Sequence, residues 1–195
     1  MNDFQTFLRT RRSIRRFKSR LVPASVIKRI LETATNAPSA HNLQPWRFAI
    51  VQSDEAKANL GQALTDKLRF DMTAEGQPQV DIDKRVKISL HRIDEAPVII
   101  LLCRDVTAVR KDEPEEHTLA SQSVAAAGLQ LLLAAHAEGL GSNWICWPLY
   151  AQDVVRAAFN LSNTWEPQAM VFIGYADEKP REKTIRPLKE ILVVE

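Results

Sequence analysis

Apolar positions recur at helical spacing in three parts of the chain. Between Pro23 and Thr35 they return every three to four residues, which predicts an amphipathic helix beginning close to Pro23. The longest such pattern runs from Thr118 to Ala137 and stops before Gly139, a residue suited to a helix end. Its many small residues suit either packing against a sheet or contact with a second copy of the chain. A shorter helix is predicted over Ala151 to Phe159.

Short apolar runs between these helices have the length and composition of strands. Four are predicted: Trp46 to Val51, Val98 to Cys103, Asn143 to Trp147 and Ala169 to Tyr175. The tail from Ile191 to Val194 also has strand character and could pair with its own sheet or with that of a partner. The mixture of elements predicts an α+β fold in which residues 1–195 form a single domain.

Residues 60–92 differ from the rest because they are strongly charged. Gly76 and Pro78 divide them into two helical pieces, and we interpret them as a helical excursion from the core. The excursion could form a lid. Its residues Arg69, Phe70 and Met72 are then candidates for facing a substrate, and the alternative for them is solvated surface.

Composition places the chain among ordinary soluble domains. It has 195 residues, 45% hydrophobic and 26% charged, and no apolar run approaches the roughly 20 residues that span a bilayer. Cys103 and Cys146 are far apart within apolar stretches, which fits a reducing compartment better than a disulfide framework. We therefore expect a cytoplasmic protein without a membrane partner.

The positive charge of the chain is concentrated at its start. The first twenty residues contain one acid, Asp3, and seven basic residues: Arg9, Arg11, Arg12, Arg15, Arg16, Lys18 and Arg20. The rest of the chain has 19 basic and 23 acidic residues, so the excess is local. Guanidinium groups suit phosphate because each offers a planar fork of donors and keeps its charge.

Three interpretations of this basic cluster compete. It could be a disordered arm that binds nucleic acid, an organelle transit peptide, or a phosphate pocket inside the fold. Apolar residues interleave with the charges, which favours ordered arginines that point into a site. These apolar residues are Phe4, Phe7, Leu8, Ile14 and Phe17.

Motifs for other kinds of chemistry are missing. The chain has neither a dinucleotide-binding glycine fingerprint nor a nucleoside triphosphate loop, and no serine lies in a nucleophile elbow. Its four histidines have no metal-ligand spacing, so we expect no metal. A phosphate site without an obvious protein catalyst suggests that a bound cofactor carries the chemistry. We name no catalytic residue.

Several motifs, in order, resemble the nitroreductase family of flavoenzymes. They are Arg11 to Phe17, Ala37 to Phe48, Gly139 to Trp144, and Ile173 to Ala176 followed by Arg186 to Leu188. A narrower likeness is to the flavin-binding C-terminal domain of the glutamyl ligases that build deazaflavin coenzymes. It is carried by Asp66 to Thr73, Glu95 to Pro97, Gly139 to Ile145, and Trp165 to Glu178.

The resemblance implies a three-layer fold whose central, mostly antiparallel or mixed sheet is flanked by helices. It further implies a two-fold homodimer that binds FMN at the interface, takes hydride from NADH or NADPH, and reduces a small-molecule acceptor such as a nitroaromatic or a quinone. A specialised reductase in deazaflavin or other coenzyme metabolism is the alternative enzyme. A basic nucleic-acid-binding module is the alternative of another class, although the resemblance implies no nucleic-acid partner.

The resemblance also implies roles for individual residues. FMN would contact Arg11, Arg12, Ser13 and Arg15, and Arg186 would help to hold its phosphate. Arg15 is assigned to the pyrimidine edge of the flavin, where reduction adds negative charge. Arg16 and Lys18 are expected to be surface charges.

Two further segments complete the expected site. Pro38, Ser39, Ala40 and Asn42 match the loop that reaches the partner's flavin, and Leu140 and Gly141 would present backbone groups to the ring. Gln44, Trp46 and Trp144 are weaker candidates, since a tryptophan is more often core. Solvent is the expected proton donor to the acceptor, and His41 is the alternative.

Overall fold

Four strands form one antiparallel sheet at the centre of the protein. The computed structural model describes residues 2–193. Within that range the strands are β1 (Trp46–Val51), β2 (Val98–Asp105), β3 (Gly141–Ile145) and β4 (Trp165–Gly174), in the spatial order β1-β2-β4-β3. The helices are α1 (Asp3–Thr10), α2 (Ala24–Ala34), α3 (Asp54–Ala74), α4 (Gln79–Glu95), α5 (Pro114–Ala137) and α6 (Gln152–Ala158).

The sheet is buried on both faces. Successive residues of β2 point to opposite sides, so that Ile99 and Leu101 pack in one apolar cluster while Val98 and Ile100 pack in another. Helices α3, α4 and α6 cover the first face, and α2 and α5 cover the second. The expected three-layer α+β fold with a mostly antiparallel sheet is confirmed.

Most predicted elements occur within a few residues of their predicted bounds. The largest shifts are at the starts of α5 and β4, which begin at Pro114 and Trp165, four residues before their predicted starts. Strand β3 begins at Gly141, which pairs with Gly174, and ends at Ile145. Trp147, predicted to end this strand, instead opens a 3₁₀ turn at Trp147–Tyr150, where Pro148 cannot continue a sheet ladder.

Helix α1 was not predicted from the apolar pattern. The Asn2 side chain caps its start by accepting a hydrogen bond from the Gln5 amide at 2.8 Å. None of its residues is buried, and Phe4 is 80% exposed. Phe4, Phe7 and Leu8 do lie at helical spacing, but the pattern covers only eight residues and leads directly into the basic cluster.

The two helical pieces of the charged segment are present and form a helical hairpin, α3 and α4. Gly76, at φ 72°, and Pro78 lie at the turn, as predicted. However, Leu60, Leu64 and Ile93 belong to the main core cluster. The hairpin is therefore built into one layer at its base, and only the end near Gly76 projects from it.

The C-terminal tail differs from its predicted strand character. After a 3₁₀ turn at Leu188–Glu190, residues 191–193 are exposed and join no strand. Val194 lies outside the described residues.

Helix α5 packs closely on the sheet. By length and composition alone it could cross a bilayer, but half of its most apolar window is buried inside the protein. Gly128 faces the Trp144 ring, and a side-chain carbon there would overlap that ring and lie 2.8 Å from Leu102 Cδ2. Ala120, Ser123, Ala127 and Gly128 are buried in this way, which is one of the two predicted alternatives, whereas Ala125 is exposed.

We expect Gly128→Ala to lower the free energy of unfolding by about 1–3 kcal/mol, because the new methyl group meets a rigid ring in a packed core. Gly61→Ala is the matched control. It also changes a helical glycine, but the nearest atom is the flexible end of Leu90 at 2.9 Å. Urea unfolding followed by circular dichroism measures both changes. Equal effects of the two substitutions would contradict the packing argument.

Candidate functional site

The basic cluster is held along the sheet by backbone hydrogen bonds. The Ile14 amide donates to the Ser142 carbonyl at 2.9 Å, and Ser13 and Ser142 form a parallel bridge. Farther on, the Lys18 amide donates to the Tyr175 carbonyl at 2.9 Å. This ordered pairing differs from the disordered arm that a nucleic-acid module would show.

Two apolar side chains anchor this segment. Ile14 and Phe17 are buried, whereas Arg15, Arg16 and Lys18 are exposed. A side-chain carbon on Gly141 would lie 2.7 Å from Ile14, so only glycine lets the two backbones come this close. The expected surface positions of Arg16 and Lys18 agree with their exposure.

The first part of the cluster offers half-buried guanidinium groups. Arg12 Nη1 donates to the carbonyls of Arg9 at 2.5 Å and Arg11 at 3.1 Å. Among residues 2–193, no carboxylate lies within ion-pair distance of Arg11, Arg12 or Arg15. Half-buried cations without an anionic partner make a suitable place for an anion.

The structure brings these arginines to the start of β3. Ser13 pairs beside Ser142, and the neighbouring residues Leu140 and Gly141 are buried directly behind the segment. The Arg15 amide donates to the Glu178 carboxylate at 2.5 Å. Four predicted segments of the chain therefore meet here: the basic cluster, Leu140–Gly141, the end of β4, and the residues after it.

The loop from Pro38 to Gln44 is tightly shaped. His41, Asn42 and Gln44 all have positive φ, between 49° and 56°. The Ala40 amide donates to Ser123 Oγ at 3.1 Å, and the Gln44 amide donates to Ser39 Oγ at 3.1 Å. Non-glycine residues in this conformation carry strain, which is common at ligand sites.

His41 is held by the same chain. Arg110 Nη1 lies 3.1 and 3.2 Å from the two ring nitrogens of His41, and Glu116 Oε1 lies 3.9 Å from Nε2. Arg110 therefore lies beside both ring nitrogens, where a substrate that takes a proton from His41 would have to bind.

One chain does not bring this loop and the arginines together. The loop contacts α5 at Ser123, while Thr10, the residue before Arg11, contacts α5 at His136. These α5 positions are thirteen residues apart, which is about 20 Å at the rise of an α-helix.

The remaining predicted residues are scattered. Arg186 is exposed in an irregular segment and has no hydrogen-bond partner among residues 2–193. Trp46 is buried in the core, and Trp144 packs between α5 and the sheet.

In the hairpin, Arg69 pairs with Asp83 at 2.6 Å and Phe70 is 71% exposed. Only Met72 of the three lid candidates lines a cavity.

That cavity lies between the hairpin and the 3₁₀ turn that follows β3. It has a volume of about 620 Å³ and adjoins a second cavity of about 380 Å³. Both are lined by Trp147 and Tyr150, and the second also by Ile145 and Arg92. The sequence pattern missed Trp147 and Tyr150, because Trp147 was counted with the strand and Tyr150 belongs to no periodic run.

Other contacts near the arginines were not predicted from the sequence. Glu178 holds the Arg15 amide, and Arg20 stacks on the Tyr175 ring with its guanidinium carbon 3.9 Å from the ring centroid. His136 contacts α1 through Thr10. None of these contacts has a local sequence signal, because each joins residues more than 100 positions apart.

The chain has clear similarity to known proteins. Residues 8–175 match the family model described as Nitroreductase family. A Bacillus subtilis (strain 168) protein with the provisional name NAD(P)H nitroreductase YfhC is 33% identical over 94% of this chain and 89% of its own. A Methanothermobacter thermautotrophicus protein, provisionally named NADH dehydrogenase/NAD(P)H nitroreductase, is 29% identical over 91% of this chain and 80% of its own.

A solved structure is also similar over the full length. A provisionally assigned nitroreductase from Desulfovibrio desulfuricans, in complex with FMN, has a TM-score of 0.78 and 26% identity, and the match covers 100% of this chain and 98% of that one. The order of the motifs, the three-layer architecture and these similarities agree. The chain belongs to the nitroreductase family.

Proposed function

We propose that this protein is an FMN-dependent NAD(P)H oxidoreductase that reduces a small conjugated acceptor. The main structural support is a pair of half-buried arginines, Arg11 and Arg12, which lie near the buried Gly141. Neither arginine has a carboxylate partner among residues 2–193. Family membership supports the flavin, as do the names of the relatives and the FMN complex of the similar structure.

The residues at the start of β3 fit the phosphate end of FMN. A phosphomonoester carries nearly two negative charges and gains from charge-assisted hydrogen bonds with guanidinium groups. Arg11 and Arg12 would bind it together with Ser13, whose hydroxyl can donate. Arg186 is exposed in the irregular segment after β4. We propose that it binds the phosphate from a second direction.

Bound FMN would accept hydride from NADH or NADPH and pass electrons to the acceptor in a ping-pong reaction. Arg15 is proposed to face the pyrimidine edge of the ring, where a fixed cation stabilises the negative charge that reduction adds. Leu140 and Gly141 would offer backbone groups to the cofactor. The chain need supply no acid or base for hydride transfer, and solvent can protonate the reduced acceptor, since His41 is engaged by Arg110.

The site is proposed to be completed by a second copy of the chain. Pro38, Ser39, Ala40 and Asn42 lie about 20 Å along α5 from the arginines of their own chain. A two-fold dimer would let this loop serve the partner's cofactor. Large apolar residues are exposed on α1, α5 and the tail, which is typical of a surface that a partner covers. They include Phe4, Leu8, Leu129, Ile191 and Val193.

The cavity beside β3 is the proposed place for a conjugated acceptor. Ile145, in the wall of the adjoining smaller cavity, is four residues along β3 from Gly141, or about 14 Å at the rise of a strand. Trp147 and Tyr150 give it aromatic rings on which a planar nitroaromatic or quinone could stack. A specialised reductase in deazaflavin or other coenzyme metabolism remains the alternative proposal. It would turn over a dehydro-deazaflavin precursor far faster than simple nitroaromatics.

We propose a cytoplasmic location. Cys103 and Cys146 are both free, as expected in a reducing compartment. Burial raises the pKa of the Cys103 thiol to about 12, so this thiol stays protonated and unreactive.

The purified protein should be yellow or should gain the visible absorbance of bound flavin when mixed with FMN. With NADH or NADPH and a nitroaromatic or quinone, it should show parallel double-reciprocal plots, because one pocket serves both substrates in turn. Spectrophotometry and steady-state kinetics measure these properties. A protein that neither contains nor binds FMN would overturn the proposed function.

We expect Arg186→Ala to weaken FMN binding by about 3- to 30-fold, because it removes one charge-assisted hydrogen bond to the phosphate. Arg181→Ala is the matched control, since Arg181 is also exposed in the irregular segment after β4. Fluorescence titration of the apoprotein gives both dissociation constants. If the two variants bind FMN equally well, Arg186 does not contact the phosphate.

Subunit complementation tests whether the loop serves the partner. Arg11→Ala and Asn42→Ala should each abolish FMN-dependent activity. When the two inactive variants are mixed and allowed to exchange subunits, each mixed dimer regains one intact site, so activity should return to about a quarter of the wild-type value. No recovery, with subunit exchange confirmed by mass spectrometry, would place the loop and the arginines in the same subunit's site.

A further inference from the structure

Helix α1 is attached to the rest of the chain through a small contact. None of its residues is buried. The Phe7 ring stacks on the His136 ring at 4.9 Å between centroids and 26° between planes, and Thr10 Oγ1 lies 3.1 Å from His136 Nε2. His136 belongs to the last turn of α5. An isolated helix of eight residues is only marginally stable in water. This contact therefore fixes the position of the C-terminal end of α1 against α5.

Hydrogen bonding indicates which nitrogen of His136 carries the proton. The Thr10 hydroxyl donates its one proton to the Phe7 carbonyl at 3.0 Å. With that bond formed, the hydroxyl accepts from the ring, which assigns the proton to Nε2. Burial and the nearby charge of Arg11 lower the pKa of His136, which favours the neutral ring.

The contact also sets the position of the two arginines that follow. Arg11 and Arg12 come directly after Thr10, and the Arg12 guanidinium binds the carbonyls at the end of α1. On their other side, Ser13 and Ile14 are fixed to Ser142. The arginines thus lie between two attachment points, one on α5 and one on β3. Loss of either point would leave them free to move.

We propose that His136 is a positioning residue for the phosphate site: its contacts with Phe7 and Thr10 hold Arg11 and Arg12 in the place where they bind an anion. The inference rests on the proposed function, because it assumes that the anion is the phosphate of FMN. His136 need not touch the cofactor. It acts by reducing the conformational freedom that the arginines would otherwise lose on binding.

The test compares FMN with riboflavin, which has the same ring but no phosphate. His136→Ala should weaken FMN binding by about 3- to 10-fold, the cost of ordering one or two long side chains on binding. Riboflavin binding should change by less than about twofold, because the ring contacts are untouched. His136→Gln should recover most of the FMN affinity, since the glutamine amide can donate to Thr10 from a similar depth.

Thr10→Val provides a second variant that leaves the histidine in place. It should weaken FMN binding in the same direction as His136→Ala. Its matched control is Thr33→Val. Thr33 likewise bonds a carbonyl of its own helix, that of Arg29 at 2.8 Å, but it has no contact with His136. This control should bind both flavins as the wild type does. Thermal unfolding of each apoprotein verifies that the variants are folded.

The outcomes separate the inference from the function on which it rests. Wild-type protein that fails to bind FMN would overturn both. Wild-type protein that binds FMN, with His136→Ala and Thr10→Val binding it equally well, would overturn the positioning role alone. Equal losses for FMN and riboflavin would also overturn it, because the effect would then be general to the fold. A loss restricted to FMN and recovered by glutamine supports it.

Discussion

The pairing of the basic segment with the edge of the sheet is the constraint on which the proposed site depends. Seven positive charges in the first twenty residues would repel one another and stay solvated unless the fold placed them. Two buried anchors, Ile14 and Phe17, and the backbone bonds to Ser142 and Tyr175 supply that placement. Arg11 and Arg12, just before Ile14, are half-buried, whereas the charges after Ile14 are exposed.

Helix α5 relates the two parts of the site to each other. Its last turn holds the end of α1, and its middle, at Ser123, holds the loop that contains Asn42. Because an α-helix is a rigid spacer, one chain keeps these two sets of residues apart. The same helix is packed on the sheet so closely that Gly128 has no room for a side chain. Packing of the core and the geometry of the site are therefore set by one element.

The fold was largely predictable from the chain. Strand β1 and helix α2 occur almost at their predicted bounds, since each has a clear period and a proline or polar residue at its ends. The predictions were weaker where the pattern depends on neighbours distant in sequence. Helix α1 has no buried face, β3 begins where Gly174 allows it to pair, and the base of α3 and α4 joins the core despite its charge. The roles of the site residues stay predictions, because they depend on a cofactor and a second subunit.

By itself, the sequence determined the class of the protein: the order of helices and strands, the local excess of arginine, and the motifs that resemble flavin-binding reductases. Local spacing carries this information because helix and strand periods and phosphate-binding residue types are properties of neighbouring residues. Only the tertiary structure decided which arginines are half-buried, that His136 holds the end of α1, and that the Asn42 loop lies far from Arg11 in its own chain. Those properties arise from contacts between residues more than 80 positions apart, such as Ala40 with Ser123 and Thr10 with His136, which no local pattern records.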